Sequence, residues 1–419
     1  MRFRPMPCAA EAHAGTGAGG TLALGDLTAM ADALRTQYAG QVQTIYLDPP
    51  FCTGKTFVLR QRCGEAGWST GSPAVNLPAY DDRWPDREAL LSLLRQAAEL
   101  SYDLLGRTGS LFVHIDSRLH ARARLLLDDI FGEKQFVNEI VWAYQSGGRS
   151  LSHFSRKHDI ILYYRKTPGA YFDIRAVGLP RPKTRTNHMR RGVDARGRSY
   201  RSIVSQGREY RYYDDEPTFP GDVWSDVSHL QQKDPQRTGY EGQKPLKLLE
   251  RIVLCSSRPG DLVCDLFAGS GTTAVAAARH GRRFLAVDKS PAALAVMRKR
   301  LLGHTMRVDA PCAAGAPRLR GEVRPGLGFS EIFLEEYRME DGLFPLCLEG
   351  AEAVEQLSVG YLRADTFHAF ANAARSKLSP RLPESLELPV LDGLPAVLTV
   401  DVLGRRMVHV LEGENDGQI

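Results

Sequence analysis

The sequence predicts an α/β fold built on a doubly wound, mostly parallel sheet, and three observations carry that prediction. Short apolar runs alternate with helical segments at both ends of residues 21–302, the pattern of strand–helix–strand units with parallel pairing. One run, Thr44-Ile45-Tyr46-Leu47, stops on Asp48-Pro49-Pro50-Phe51, where two consecutive prolines cannot continue a ladder. Another, Leu262 to Phe267, opens into a glycine-rich strand-to-helix turn, Asp265-Leu266-Phe267-Ala268-Gly269-Ser270-Gly271-Thr272-Thr273. Open α/β sheets bind ligands at the carboxyl ends of strands, so both turns are candidate site elements.

Taken in order, Met1 to Gly20 is rich in Ala and Gly, has no apolar core like that of a signal peptide, and reads as a flexible N-terminal tail. Thr21 to Leu24 reads as a strand, Leu27 to Leu34 as a helix that Asp26 can cap, and Thr44 to Leu47 as a strand. Residues 52–86 show little periodicity and read as a long loop beside the site. Leu90, Leu91, Leu94, Ala97, Leu100 and Leu104 recur at helical spacing. Gly109 to Asp116 is a turn and a strand, and a helix from Leu119 to Ile130 ends at Gly132. Val137 to Tyr144 and Asp159 to Tyr164 are further strand candidates, and residues 244–257 a helix with Pro245 near its start. The last strand–helix–strand–helix unit runs from Leu262 to Leu302. Residues 305–330 read as a linker rich in Pro, Gly, Ala and Arg, and 331–419 as a small acidic α/β appendage.

The 419 residues carry a net charge of only +5, but unevenly. Residues 165–211 hold thirteen Lys or Arg against three acids, a net of +10, while 321–419 carry a net of −9. A basic middle points to a polyanion partner. The seven cysteines include no CxxC pair, which argues against zinc or a disulfide framework, so no metal is expected. No apolar run is long enough to span a membrane, and a cytoplasmic protein is expected.

In the glycine-rich turn, Gly269 and Gly271 permit close backbone approach, and the following helix aims unpaired amides at an anionic group. Asp288, at the end of the next strand, suits ribose hydroxyls. The turn is neither GxGxxG nor GxxxxGK[ST], so dinucleotides and nucleoside triphosphates fit poorly. Asp48-Pro49-Pro50-Phe51 offers a carboxylate, a donor-free acceptor backbone and a stacking ring. These suit an exocyclic nucleobase amine, whose delocalised lone pair is localised by accepting its hydrogens. Taken alone, the same four residues also fit a plain strand-ending turn.

Together these residues resemble the permuted β class of bacterial site-specific DNA amino-methyltransferases, the N6-adenine/N4-cytosine family, in which the catalytic motif precedes the cofactor loop. The resemblance covers roughly residues 20–303. It includes Leu47 to Lys55, Gly25-Asp26, Leu111 to Asp116, Asp128 to Gly132, and Gly242-Gln243-Lys244-Pro245. Cys52 stands where Asn is common and Asp288 where Glu is common. The resemblance implies a Rossmann-like S-adenosylmethionine-dependent methyltransferase fold, a mixed seven-strand sheet with one antiparallel strand. The catalytic domain would be 21–164 and 236–304, with 165–235 an inserted target-recognition region.

By the same resemblance Asp48, Pro49, Pro50 and Phe51 would hold the target base. S-Adenosyl-L-methionine would be held by Asp265 and Phe267, Ala268, Gly269, Ser270, Gly271, Thr272 and Thr273 at its methionine end, by Asp288 at the ribose, by Asp26 at the adenine edge, and by Lys244. Arg181, Lys183, Arg185, Arg190, Arg191, Arg196, Arg198 and Arg201 would contact double-stranded DNA. Asp at the head of the tetrapeptide implies adenine N6 methylation by in-line attack on a flipped-out base. Alternatives are cytosine N4, an RNA or protein-glutamine substrate, or a catalytically silent DNA-recognition subunit. A homodimer, a cognate restriction endonuclease and a nucleoid location also belong to this expectation.

Overall fold

The computed structural model describes residues 2–71, 73–144, 150–181, 189–311, 318–338 and 350–411. The seven expected strands lie side by side within one larger sheet, in the order Thr16–Leu24, Arg283–Asp288, Leu262–Asp265, Val42–Leu47, Leu105–Ile115, His158–Arg165 and Phe136–Ala143. Among these seven every pairing is parallel except those of His158–Arg165, which runs antiparallel to both neighbours. Side chains alternate across these strands: Ile45 and Leu47 join a core under helices Leu27–Tyr38, Arg87–Leu104 and His120–Phe131. Tyr46 faces the opposite core, under Leu246–Ser256, Thr272–Arg279 and Pro291–Leu301. Both faces are covered, which is why the strands read as continuous apolar runs. No helix among the described residues is long and apolar enough to cross a membrane.

Register brings the two distant turns together. Asp265 pairs with Tyr46, two residues before Asp48, and Asp288 pairs with Leu24, two residues before Asp26. Four acidic residues from distant parts of the chain therefore meet at one edge of the sheet.

Several expectations need correction. Residues 1–20 are no loose tail: Arg2–Met6 and Ala10–His13 are strands, and the next strand begins at Thr16. Their partners lie far off in sequence, so no local pattern reveals them. Ala10–His13 pairs with His304–Asp309 and with Thr366–Ala374, and Arg2–Met6 with Arg406–Leu411. Residues 305–330 are likewise no plain linker, because His304–Asp309 extends the central sheet beside Thr16–Leu24 and Arg318–Pro325 is a strand. The C-terminal region is all-β among the described residues apart from one short 3-10 turn at Gly350–Ala353, not α/β. It is welded to the central sheet by buried Glu11, which accepts from His13 Nε2 at 2.6 Å, Arg298 Nε at 2.8 Å and Arg406 Nε. Arg298 continues to Gln356 Oε1 and Ser358 Oγ, both at 2.8 Å.

The stretch 52–86 is an antiparallel hairpin, Thr56–Arg62 with Ala74–Asp81, enclosing a helix at Gly64–Thr70. The basic segment also folds, into a three-stranded sheet of Arg190–Val193, Ser199–Ser205 and Arg208–Tyr213.

Candidate functional site

One pocket collects Asp26, Asp48, Pro50, Lys244, Asp265, Phe267, Ala268, Gly269, Ser270, Thr272, Thr273 and Asp288 from the sequence-predicted residues. Asp48 follows directly on Val42–Leu47. Lys244 Nζ reaches Asp48 Oδ2, whereas Asp48 Oδ1 is buried without a hydrogen-bond partner among the described residues. The same ammonium sits 5.4 Å above the Phe51 ring. Phe51 packs at 5.9 Å from the ring of His114, which bonds Tyr46 Oη through Nδ1 at 2.7 Å and Asp159 Oδ2 through Nε2 at 3.2 Å. The Asp48 to Phe51 turn thus rests on a buried polar chain, not on a loop alone. Pro49 lies between, and its missing N–H leaves the turn rich in acceptors.

The glycine-rich turn has the conformation its sequence predicts. Gly269 and Gly271 have φ +49° and +74°, and a Cβ on Gly271 would come within 2.6 Å of Met297 Cγ. Asp265 braces the turn from inside: Oδ1 accepts from Phe267 N at 3.0 Å and Oδ2 from Thr273 Oγ1 at 2.5 Å. Burial pushes the Asp265 carboxyl up to about 7. Asp288 accepts from Gly269 N at 2.7 Å and Ser290 N at 2.8 Å, and burial raises it too. Asp26 caps Leu27–Tyr38 by accepting from Thr28 N at 2.9 Å.

Sequence reasoning missed several neighbours. Asp82 clamps the turn after Phe51, accepting from Cys52 N at 2.9 Å, Thr53 N at 2.8 Å and Thr53 Oγ1 at 2.6 Å. Tyr80 and Tyr240 stack at 6.5 Å and wall the pocket. Tyr240 arrives on a segment that adds to the hairpin, with Glu241 N donating to Val58 O at 3.1 Å and Glu241 Oε2 accepting from Val58 N at 2.8 Å. Arg300 Nη1 donates to Ser270 O at 2.7 Å and Thr272 Oγ1 at 3.0 Å. The only sequence signal for any of them was the unexplained length of the 52–86 stretch.

The predicted arginines divide. Arg190, Arg191 and Arg196 are exposed. Arg198 is tied to Asp215 at 2.9 and 2.8 Å and to Glu216 at 3.1 Å. Arg201 is buried 3.2 Å from Asp214, and Arg181 donates to Glu216 O at 3.3 Å. Lys183 and Arg185 lie outside the described residues.

The pocket suits a nucleoside joined to an amino acid. It offers an apolar wall (Leu249, Leu266, Phe267), carboxylates at Asp26 and Asp288, the cation Lys244, and glycine backbone for close approach.

Comparison with known proteins identifies the family. A family model described as DNA methylase matches residues 42–299. The type II methyltransferase M.EcaI of Enterobacter cloacae is 28% identical over 316 residues, covering 64% of this chain and 67% of that enzyme. The DNA adenine methyltransferase YhdJ of Escherichia coli (strain K12) is 26% identical over 258 residues, 60% of this chain and 72% of that one. TTHA0409 from Thermus thermophilus, complexed with S-adenosyl-L-methionine, superposes with TM-score 0.41 at 20% identity, covering 70% of this chain and 98% of that one.

Proposed function

Because the chain belongs to the DNA methylase family of N6/N4 amino-methyltransferases, we propose that it methylates adenine N6 at a specific sequence in double-stranded DNA. S-Adenosyl-L-methionine, when bound, supplies a methyl group on an electrophilic sulfonium. Asp26, Asp288, Lys244 and the turn Phe267 to Thr273 would hold it, with Asp265 bracing that turn from behind.

The single observation that carries the reading is Asp48 Oδ1: a buried acceptor without a hydrogen-bond partner among the described residues, on a residue that follows a central strand and lines the same pocket as the glycine-rich turn. A buried acceptor of this kind costs free energy unless a donor reaches it, and an exocyclic amine is such a donor. Phe51 gives the base a ring to stack on, and Pro49 and Pro50 keep the turn stiff. Much of the rate enhancement then comes from holding the amine in line with the methyl group. The adenine choice draws on Asp48 heading the tetrapeptide, and the name of YhdJ is consistent with it. A cognate restriction endonuclease as partner is part of the same proposal.

The test is transfer of labelled methyl from S-adenosyl-L-methionine into duplex DNA, followed by nucleoside analysis, beside Asp48→Ala. N6-Methyladenine that disappears in the variant supports the reading. N4-Methylcytosine would keep the site and overturn the base.

A further inference from the structure

The connection between Phe136–Ala143 and His158–Arg165 leaves the same sheet edge as Asp48, because Phe136–Ala143 runs in the same direction as Val42–Leu47 through the intervening pairings. From Ser150 onward this connection presents two large apolar side chains to water: Leu151 is 107% exposed and Phe154 98%. Their backbone is ordered by its own polar groups. Ser150 Oγ and Ser152 Oγ lie 2.9 and 3.0 Å from His153 Nδ1, and Ser152 N donates to Ser150 Oγ at 3.3 Å. Arg156 follows, also exposed.

The root of this knuckle is anchored to the base site. Tyr144 N donates to Lys157 O at 2.9 Å, closing the loop. Tyr144 Oη donates to Asp159 Oδ1 at 3.2 Å, and Asp159 leads through His114 to Phe51.

Leu151 and Phe154 are fully hydrated here, so covering them with an apolar partner surface would be favourable. A base turned out of a duplex leaves a gap whose walls are apolar base faces and whose rim is phosphate. Phe154 and Leu151 match the walls, and Arg156 matches the rim. Resting on the function proposed above, we infer that Phe154 and Leu151 enter the DNA stack and fill the place of the flipped-out base. Phe154 stacks on the neighbouring bases, Leu151 wedges beside it, and Arg156 pairs with the adjacent phosphate. Proteins that insert apolar wedges between base steps use this physics, and the aromatic contribution is indifferent to sequence because every base has a π face.

The experiment uses the full chain and its recognition sequence in two duplexes, one with the target paired and one with an abasic site opposite it. The abasic duplex has no base pair to break, so it needs less help in flipping. Phe154→Ala is expected to slow methylation of the paired duplex by about 10- to 100-fold, the worth of one stacking partner. On the abasic duplex the same variant should recover to within a few-fold of wild type. Phe154→Trp should act like wild type on both, and cofactor affinity should not move in any variant. Since Phe154 is exposed, all variants should melt with wild type. Equal loss on both duplexes, or no loss on the paired one, would overturn the inference. If wild type methylates neither duplex, the underlying reading fails and takes this inference with it.

Discussion

Lys244 Nζ holds one oxygen of the Asp48 carboxylate while the other, Oδ1, is buried and has no partner among the described residues. The ammonium pairs with the Asp48 carboxylate, and Asp48 lines the shared pocket. Asp48→Asn keeps the shape but replaces a charged acceptor by a neutral one. Methyl transfer should fall by about 10²- to 10³-fold, the scale for removing one preorganised electrostatic interaction, while cofactor affinity stays within a few-fold. Single-turnover transfer rates beside a cofactor titration would measure both.

Cys52 adopts φ +57°, a left-handed conformation unfavourable for most side chains but accessible to Gly and Asn. The resemblance places Asn at this position, and the backbone gives the physical reason. Cys52→Asn or Cys52→Gly should stabilise the fold by about 0.5–1 kcal/mol, seen as a higher unfolding midpoint without loss of transfer activity. Asp82→Ala removes the clamp that shapes this turn and should lower kcat/KM for DNA by about tenfold or more while the fold persists.

Asp265 gives a pH prediction. Its carboxyl moves from 3.8 to about 7 on folding, mainly through burial. A carboxyl raised in the folded state contributes stability that is fully present below the unfolded pKa and is lost as pH rises toward 7. Asn can accept from Phe267 N and donate to Thr273 Oγ1, so Asp265→Asn keeps both hydrogen bonds without the ionisation. The variant's melting temperature relative to wild type should rise between pH 5 and pH 8. A constant difference would contradict a buried, raised carboxyl at the base of the turn.

The arginines of the basic sheet should separate by salt dependence. Arg190→Ala, Arg191→Ala and Arg196→Ala should each reduce the slope of log affinity against log salt by about 0.9 for every phosphate the wild-type side chain neutralises. Arg198→Ala and Arg201→Ala should instead lower stability, because those guanidinia are already engaged with Asp215, Glu216 and Asp214. DNA titrations at several salt concentrations, with melting curves, distinguish the two groups.

Glu11 joins the N-terminal strand to Arg298 and Arg406 in a dry environment. Burial alone would raise its carboxyl, but Arg298, His13 and Arg406 hold it well below the ordinary carboxylate range. Its contribution is present above the unfolded pKa and lost as pH falls. Glu11→Gln leaves two buried guanidinia short of a counter-charge and should cost about 3–5 kcal/mol by denaturant unfolding at pH 7.

What the sequence reveals and what it hides follow one division. Asp48 to Phe51, Asp265 to Thr273 and the Asp26 cap are legible because proline, glycine and carboxylate at strand ends have local meanings. The alternating strands and helices of 262–302 are legible for the same reason. Ala10–His13 is not, since its partners His304–Asp309 and Thr366–Ala374 lie hundreds of positions away. Asp82 is hidden because its role depends on a hairpin that folds it back onto Cys52 and Thr53. Arg198 and Arg201 look like their exposed neighbours until the three-stranded sheet places acids beside them. The Lys244–Asp48 pair spans 196 positions, and the resemblance alone assigned Lys244 only to the cofactor.

The most direct measurement of the central claim is single-molecule sequencing of DNA from a methylation-free host expressing the full chain, beside Asp48→Ala. The expected result is N6-methylated adenines at one recurrent sequence, absent from the Asp48→Ala culture. Methylation that survives in Asp48→Ala, or none from a folded wild-type protein that binds S-adenosyl-L-methionine, would contradict the role given to Asp48.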